Sequence, residues 1–287
     1  MTSYRSDFPV YDKFPDLAYL DSAASTQKVR PVLDVMMRTY SERYANVHRG
    51  IYHLSELATT DYENARKRVG DFFNVSAENI VFVKGATEGI NLVAESFTRS
   101  RLQAGDEIIL SQMEHHANIV PWHRLCEQTG AQLKVIGLND RGELDLEAYR
   151  AAFSERTKMV ALTHVSNVLG TVNPAETLCL IAKSHQVPIL IDGAQAASHI
   201  PVDIKALDPD FYTLSAHKMY GPTGIGVLYI KSEHMESMSP YQSGGSMIES
   251  VAFDQITYMH GPMKFEAGTP HIAGAIGLSV ACDYIKS

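Results

Sequence analysis

Strand-like and helix-like segments alternate along this chain, which predicts an α/β fold with a mainly parallel sheet and helices on both faces. Three observations carry that expectation. Short β-prone runs recur at Ile80–Val83, Glu107–Leu110, Leu133–Ile136, Met159–Leu162, Pro188–Ile191 and Phe211–Leu214. Segments of helical period separate most of them. The residues able to do chemistry fall just after the strands, where open α/β sheets hold their ligands.

Residues 1–16, mixed polar and apolar with two prolines, read as an N-terminal arm, and 17–287 read as one large domain. Leu17–Leu20 is expected as a short strand entering the small-residue turn Asp21-Ser22-Ala23-Ala24, where backbone could approach a ligand. Pro31–Tyr44 repeats apolar residues at helical spacing, with Pro31 in the tolerated first turn. Asn46–Gly50 is a loop, and Thr59–Phe73 a second amphipathic helix. Helices are then expected near Thr87 and over Ala117–Gly130, Leu144–Phe153 and Ala175–His185. Ile225–Ile230 pairs back as a strand, and Ala273–Ile285 is a last helix.

Composition narrows the classes. Apolar residues make up 45% of the 287 and charged residues 20%, ordinary for a globular protein with a sizeable core. A net charge of −8 and no basic run argue against nucleic acid or an anionic membrane as partner. No apolar stretch reaches membrane-spanning length, and the N-terminus has no apolar signal region. Cys126, Cys179 and Cys282 are far apart and fit neither a metal site nor a disulfide framework. Each falls in an expected helix and reads as a core residue. A reducing cytoplasm is the expected compartment.

The strand ends carry the candidate chemistry. After Val83, Gly85-Ala86-Thr87 opens a helix whose free N–H groups could hold a phosphate, although Thr87 serves equally as a plain helix cap. Beyond Leu110, His115 could stack on a flat ligand or move a proton near neutral pH, or stand exposed at a helix start. Asn167, past Leu162, is a candidate donor to a ligand oxygen or a turn residue. Asp192 follows an apolar run directly, so its carboxylate needs a cation or several donors. A pyridinium N–H would be one. Finally, Ser215-Ala216-His217-Lys218 leaves the Phe211–Leu214 strand and runs into Gly-Pro-Thr-Gly-Ile-Gly turns. Lys218 is thus an amine on a short loop at a strand end. Burial or positive neighbours would ease its deprotonation and let it attack a carbonyl.

Taken in order, these stretches resemble the pyridoxal-phosphate enzymes of fold type I, aminotransferase class V, and most specifically the group II, SufS-like cysteine desulfurases. Further matching stretches are Val47-His48-Arg49-Gly50, Gln112–Asn118, His164–Gly170, Gly244–Ile248 and Phe265–Pro270. The resemblance implies the fold type I large domain and pyridoxal 5'-phosphate as cofactor. By it Lys218 would hold the cofactor and then shuttle the substrate's Cα proton. Asp192 would pair with the pyridinium nitrogen, and His115 would stack on the ring and assist proton transfer. Asn167 and Gln195 would contact ring substituents, Gln195 the phenolic oxygen. Thr87, Ser215 and His217 would bind the phosphate, and Thr269 the phosphate of the other subunit of a homodimer.

The implied reaction turns L-cysteine into L-alanine and hands the sulfur on as a persulfide, for iron–sulfur cluster assembly, with a sulfur-acceptor protein as possible partner. A selenocysteine lyase, another class V lyase or transaminase, and a non-enzymatic cofactor-binding remnant are the rival expectations. The family's nucleophilic cysteine lies in a C-terminal small domain, in a motif like Arg-x-Gly-His-His-Cys, which does not occur here. Sulfur transfer by this chain alone is therefore expected to be poor. Ala86, Ala216 and His271 stand where the family has a second threonine, glycine and asparagine.

Overall fold

The alternation of strands and helices is present in the computed structural model, which describes residues 4–287. The N-terminal arm holds a 3-10 turn at Tyr4–Asp7 and the short α1 (Val10–Lys13), while residues 1–3 of the expected arm lie outside the described residues. Leu17–Leu20, expected as a strand, has no ladder partner, and Leu20 is 94% exposed. A run this short needs a sheet edge to pair with, and this one has none.

α2 (Arg30–Glu42) carries Pro31 in its first turn. α3 (His53–Phe72) begins ahead of the expected Thr59. Its buried stripe starts on Ser55 and Ala58, small residues that hydrophobic periodicity underweights. β1 (Ile80–Val83) leads into α4 (Ala86–Leu92), and β2 (Glu107–Ser111) into a 3-10 turn at His116–Asn118. α5 (Val120–Thr129) follows and stops at Gly130, whose φ of 78° suits a left-handed cap. After β3 (Gln132–Ile136), α6 (Leu146–Ala151) is shorter than expected. Asp145 caps it by accepting from the Ala148 N–H, and Leu144 bridges back to Leu138 instead. Next come β4 (Thr157–Thr163), α7 (Ala175–Ser184), β5 (Ile189–Asp192), α8 (Ala196–His199) and α9 (Ile204–Leu207). The chain continues through β6 (Phe211–Ser215), β7 (Gly226–Ile230) and α10 (Ser232–Met235). A small exposed hairpin, β8 (Ile248–Val251) with β9 (Ile256–Tyr258), was not foreseen, and α11 (Ile272–Lys286) closes the chain.

The main sheet runs β1-β7-β6-β5-β4-β2-β3. β6, β5, β4, β2 and β3 are parallel neighbours, and β7 lies antiparallel between β1 and β6. The ends of β1, β2, β4, β5 and β6 therefore open on one edge.

Alternation along each strand divides the core between the two faces. Ile80, Phe82, Ile109, Val160, Ile191 and Tyr212 point to one apolar cluster. Val81, Val83, Ile108, Leu110, Leu190 and Phe211 point to the other, which also holds the fully buried Trp122. α11 packs on α2 and α3. Gly277 permits this approach, since a Cβ there would lie 3.1 Å from Met36 Cγ. The outer side of α2 leaves Leu33, Met37 and Tyr40 exposed, and Tyr44 just beyond it is exposed as well. Among the described residues no helix is long and apolar enough to cross a membrane.

A buried ion pair ties the segment after the hairpin to the sheet. The Arg66 guanidinium donates to both Glu266 oxygens, at 2.6 and 2.9 Å, and to the Ile80 carbonyl at 2.8 Å. Glu266 also accepts from the Phe82 N–H and the Tyr62 hydroxyl. Their side chains are only 2% and 8% exposed. Glu63 also pairs with Arg66, at 3.0 Å, but is 43% exposed, so removing Glu266 leaves the guanidinium without its one buried carboxylate. Glu266→Gln should therefore cost about 3–5 kcal/mol of folding free energy, read from urea unfolding. A loss below about 1 kcal/mol, the worth of a surface pair, would contradict this anchoring role.

Candidate functional site

A cavity of about 500 Å³ opens at the carboxyl ends of β1, β2, β4, β5 and β6. Thr87, His115, Asn167, Asp192, Gln195, Ser215, His217 and Lys218 all line it. Residues far apart in sequence thus meet because parallel strands deliver their following loops to one edge. Thr269 is the exception. It is exposed and lines a separate pocket with Lys84, Glu88 and Gln242.

Lys218 ends a 3-10 turn, Ala216–Lys218, directly after β6. Burial lowers its pKa, and the Asp192 charge pulls partly the other way. Asp192 is the last residue of β5 and is 4% exposed. Its Oδ1 accepts from the Ala194 N–H at 3.0 Å. Burial raises its pKa, while that hydrogen bond and the charges of Lys218 and His115 oppose the rise. Ala216 is fully buried without a left-handed backbone, so alanine is accommodated where the family has glycine.

Beside them lies an anion cup. α4 starts at Ala86, making Gly85 the cap and placing Thr87 inside the first turn, where helical N–H groups have no intrahelical partner. The Ser215 hydroxyl accepts from the Ala86 N–H at 2.9 Å, which keeps its own proton available to a ligand. The approach is close: a Cβ on Gly226 would lie 2.6 Å from Gly85 Cα. His217 Nδ1 sits 3.3 Å from the Ser25 hydroxyl, and burial, then Lys218 and Lys28, lowers its pKa.

His115 Nδ1 accepts from the Ala117 N–H at 3.1 Å, which puts the proton of the neutral ring on Nε2. Burial and the Lys218 charge lower its pKa, favouring that neutral form. Gln195 donates from Nε2 to the Ala23 carbonyl at 2.6 Å and keeps a second amide hydrogen for a ligand. Asn167 is half-buried in a turn held by the Ser166 hydroxyl, which accepts from the Leu169 N–H.

Sequence reasoning missed a supporting residue, Glu114. It is buried and accepts from the Ser111 hydroxyl, the Asn118 amide and the Thr163 N–H, so it joins the ends of β2 and β4 beside His115. An acid inside the Gln112–Asn118 stretch, next to His115, was its only signal. Asp21, Ala23 and Ala24 line the cavity, as the small-residue turn implied. Cys126, Cys179 and Cys282 are buried, and none lines the cavity. Burial pushes Cys126 up to about 11 and Cys179 to about 12, and raises Cys282 as well.

A half-buried amine, a buried carboxylate, a neutral imidazole and an anion cup around one cavity fit a flat, phosphorylated aromatic aldehyde such as pyridoxal 5'-phosphate.

Residues 18–287 match the aminotransferase class V family. A curated cysteine desulfurase of Escherichia coli is 53% identical over 288 aligned positions, covering 99% of this chain and 71% of its own length. Among solved structures, the cysteine desulfurase CsdA of Escherichia coli superposes with a TM-score of 0.91 at 42% identity, covering 99% of this chain and 71% of that one. The apo cysteine desulfurase of Thermococcus onnurineus gives 0.94 at 40% identity, covering 100% and 72%.

Burial raises the Glu114 pKa to about 7, against its three hydrogen bonds. The folded state thus holds this proton more tightly than the unfolded chain. That contribution to stability is complete below the ordinary carboxyl value of 4.5 and is lost as pH rises through about 7. Glu114→Gln removes the titration. The stability of the parent relative to this variant should fall by roughly 3 kcal/mol across that window. A difference independent of pH would overturn the assignment.

Proposed function

The chain belongs to the aminotransferase class V family, among its cysteine desulfurases, and on that premise we propose that it converts L-cysteine to L-alanine and releases the sulfur to a thiol as a persulfide. The cofactor is pyridoxal 5'-phosphate. The observation that carries this reading is the meeting of Lys218 and Asp192 in one cavity beside the cup of Thr87 and Ser215. When bound, pyridoxal phosphate supplies an aldehyde carbon for an amine and a ring that withdraws electrons from the attached Cα.

Lys218 Nζ would hold the cofactor's aldehyde carbon and, as a free amine, would take the Cα proton of L-cysteine. Its lowered pKa suits both roles. Asp192 would accept from the ring N–H and so keep that nitrogen protonated. His115 Nε2 exchanges a proton with the substrate near neutral pH. Asn167 and Gln195 orient the ring edge, and Thr87, Ser215 and His217 hold the phosphate. An attacking thiolate would form a bond to the substrate sulfur as the C–S bond breaks, giving a persulfide, while Cβ takes up a proton and Lys218 returns one to Cα to complete alanine.

That thiolate is not Cys126, Cys179 or Cys282. All three are buried, outside the cavity, and held as thiols by burial. The sulfur therefore passes to a thiol other than these three. Sulfur transfer by these residues alone is slow. Three unpaired cysteines suit a reducing cytoplasm. Thr269 is exposed and away from its own cavity, which supports a homodimer in which it reaches the phosphate held by the partner copy.

Two measurements test this. With pyridoxal phosphate, L-cysteine and dithiothreitol, the chain should release alanine, and Lys218→Ala should slow release by ~10²–10⁴-fold, the range of a positioned proton-transfer group. Release unaffected by that change would refute the assignment. Replacing the three cysteines with alanine should leave release intact, and its loss would return the acceptor role to one of them. For the dimer, Thr269→Ala should weaken cofactor binding at least ~10-fold, one charge-assisted hydrogen bond. Mixing Lys218→Ala with Thr269→Ala protein should then restore activity, because one site of each mixed dimer is complete. No recovery on mixing would contradict sharing between copies.

A further inference from the structure

The peptide that carries Lys218 is held by an unusual set of donors. The carbonyl of His217, the residue before Lys218, accepts from the Thr26 N–H at 2.9 Å and the Thr26 hydroxyl at 3.0 Å. It also accepts from the Ser25 hydroxyl at 3.3 Å and from Lys28 Nζ at 3.0 Å. A carbonyl oxygen has two lone pairs, so this is a crowded acceptor. Lys28 Nζ also donates to the Thr26 carbonyl at 2.6 Å, and the Thr26 hydroxyl accepts from the Tyr220 N–H. The segment before α2 thus grips the loop after β6 on both sides of Lys218.

Lys28 is the costly member of this set. It is half-buried, and its ammonium is held by two neutral carbonyls, with no carboxylate in direct contact among the described residues. Burial lowers its pKa to about 8. Neutral donors already supply the carbonyl's ordinary hydrogen bonds, so stability alone does not account for a desolvated charge at this spot. What the charge adds is a stronger, directional hold on the peptide that bears the cavity's amine.

We infer that Lys28 is a positioning residue for Lys218, fixing the His217–Lys218 peptide so that Lys218 Nζ is presented to the cavity. Lys28 lies outside the cavity lining and acts through the backbone. The role bears on chemistry through the reading of Lys218 as the attachment point, so the test has one arm that does not involve the cofactor.

In that arm, amide hydrogen exchange is followed on the 287-residue chain without cofactor. Lys28→Met keeps the apolar stem and removes the charge. Exchange in the 216–221 segment should rise about tenfold, the worth of one charge-assisted hydrogen bond, while β4 and β5 keep their protection and Tm does not fall. Lys28→Arg, which retains charge and donors, should restore protection to within about threefold of the parent. Unchanged exchange in Lys28→Met would overturn the inference. So would a rise spread over the whole sheet with a lowered Tm, which marks a residue of general stability. In the second arm, the pH midpoint of the visible absorption band is read after loading with pyridoxal phosphate. Lys28→Met should move that midpoint and Lys28→Arg should bring it back, and a midpoint indifferent to both overturns the inference. If the parent forms no such band, the Lys218 reading itself fails, and the exchange result still decides whether Lys28 holds the loop.

Discussion

A carboxylate buried at the end of a strand sets the terms for everything around it. Asp192 is reached through an apolar run, Ile189–Ile191, whose side chains are fully within the two cores. At that depth a charge costs several kcal/mol unless partners offset the loss of water. One partner is local, the Ala194 N–H. The others arrive from different strands, Lys218 after β6 and His115 after β2, and the positive charge of Lys218 opposes the rise that burial causes in Asp192. The parallel order of the central strands brings those loops together, so sheet topology and site electrostatics are one problem with one solution.

A cavity of opposed, incompletely paired charges stays organised only if the loops bearing them are rigid. Each is pinned from behind. Glu114 links the ends of β2 and β4 through the Thr163 N–H and holds the Asn118 amide. Thr163 is in turn the register partner of Asp192. His164 follows it and lies 3.0 Å from the Tyr212 hydroxyl on β6, buried deeply enough that its pKa falls to about 4. Ser215 ties β6 to the first turn of α4, and the Ser25–Lys28 segment ties the Lys218 loop to the residues before α2. Polar groups that would be expensive unpaired are here used in pairs, each joining two strand ends.

What could be read from the sequence follows from the range of the forces involved. Strands with two buried faces are continuous apolar runs, and every strand of the main sheet was legible, as was the side on which Lys218, Asp192, His115 and Thr87 would gather. Helix starts were less so. The buried stripe of α3 begins on Ser55 and Ala58, which bury without being strongly apolar, and α6 is decided by the cap of Asp145. The exposed hairpin β8–β9 leaves its Val251, Ile256 and Tyr258 outside the core, in strands too short to stand out in the sequence. Leu17–Leu20 shows the opposite error, a β-prone run with no edge to join. Glu114 and Lys28 escaped because their importance lies in long-range partners, Thr163 and His217, which local pattern cannot reveal.

The opposite edge of the sheet shows why charge alone does not make a site. A larger groove, of about 790 Å³, opens there among Asp208, Asp210, Lys183, Lys231 and His234. Its charges already answer one another. Asp208 is paired with both Lys183 and Lys231, and Asp210 accepts the Ile189 N–H while contacting His234. The lysines there pull Asp208 below the usual carboxylate range, the direction of a satisfied ion. In the cavity at the carboxyl edge, burial instead raises the pKa of Asp192 and lowers that of Lys218, opposite to the shifts of satisfied ions. A bound group with a protonated ring nitrogen and a carbon open to an amine relieves both at once. Binding energy is available where burial works against the charges of Asp192 and Lys218, and that distinguishes the smaller cavity from the larger groove.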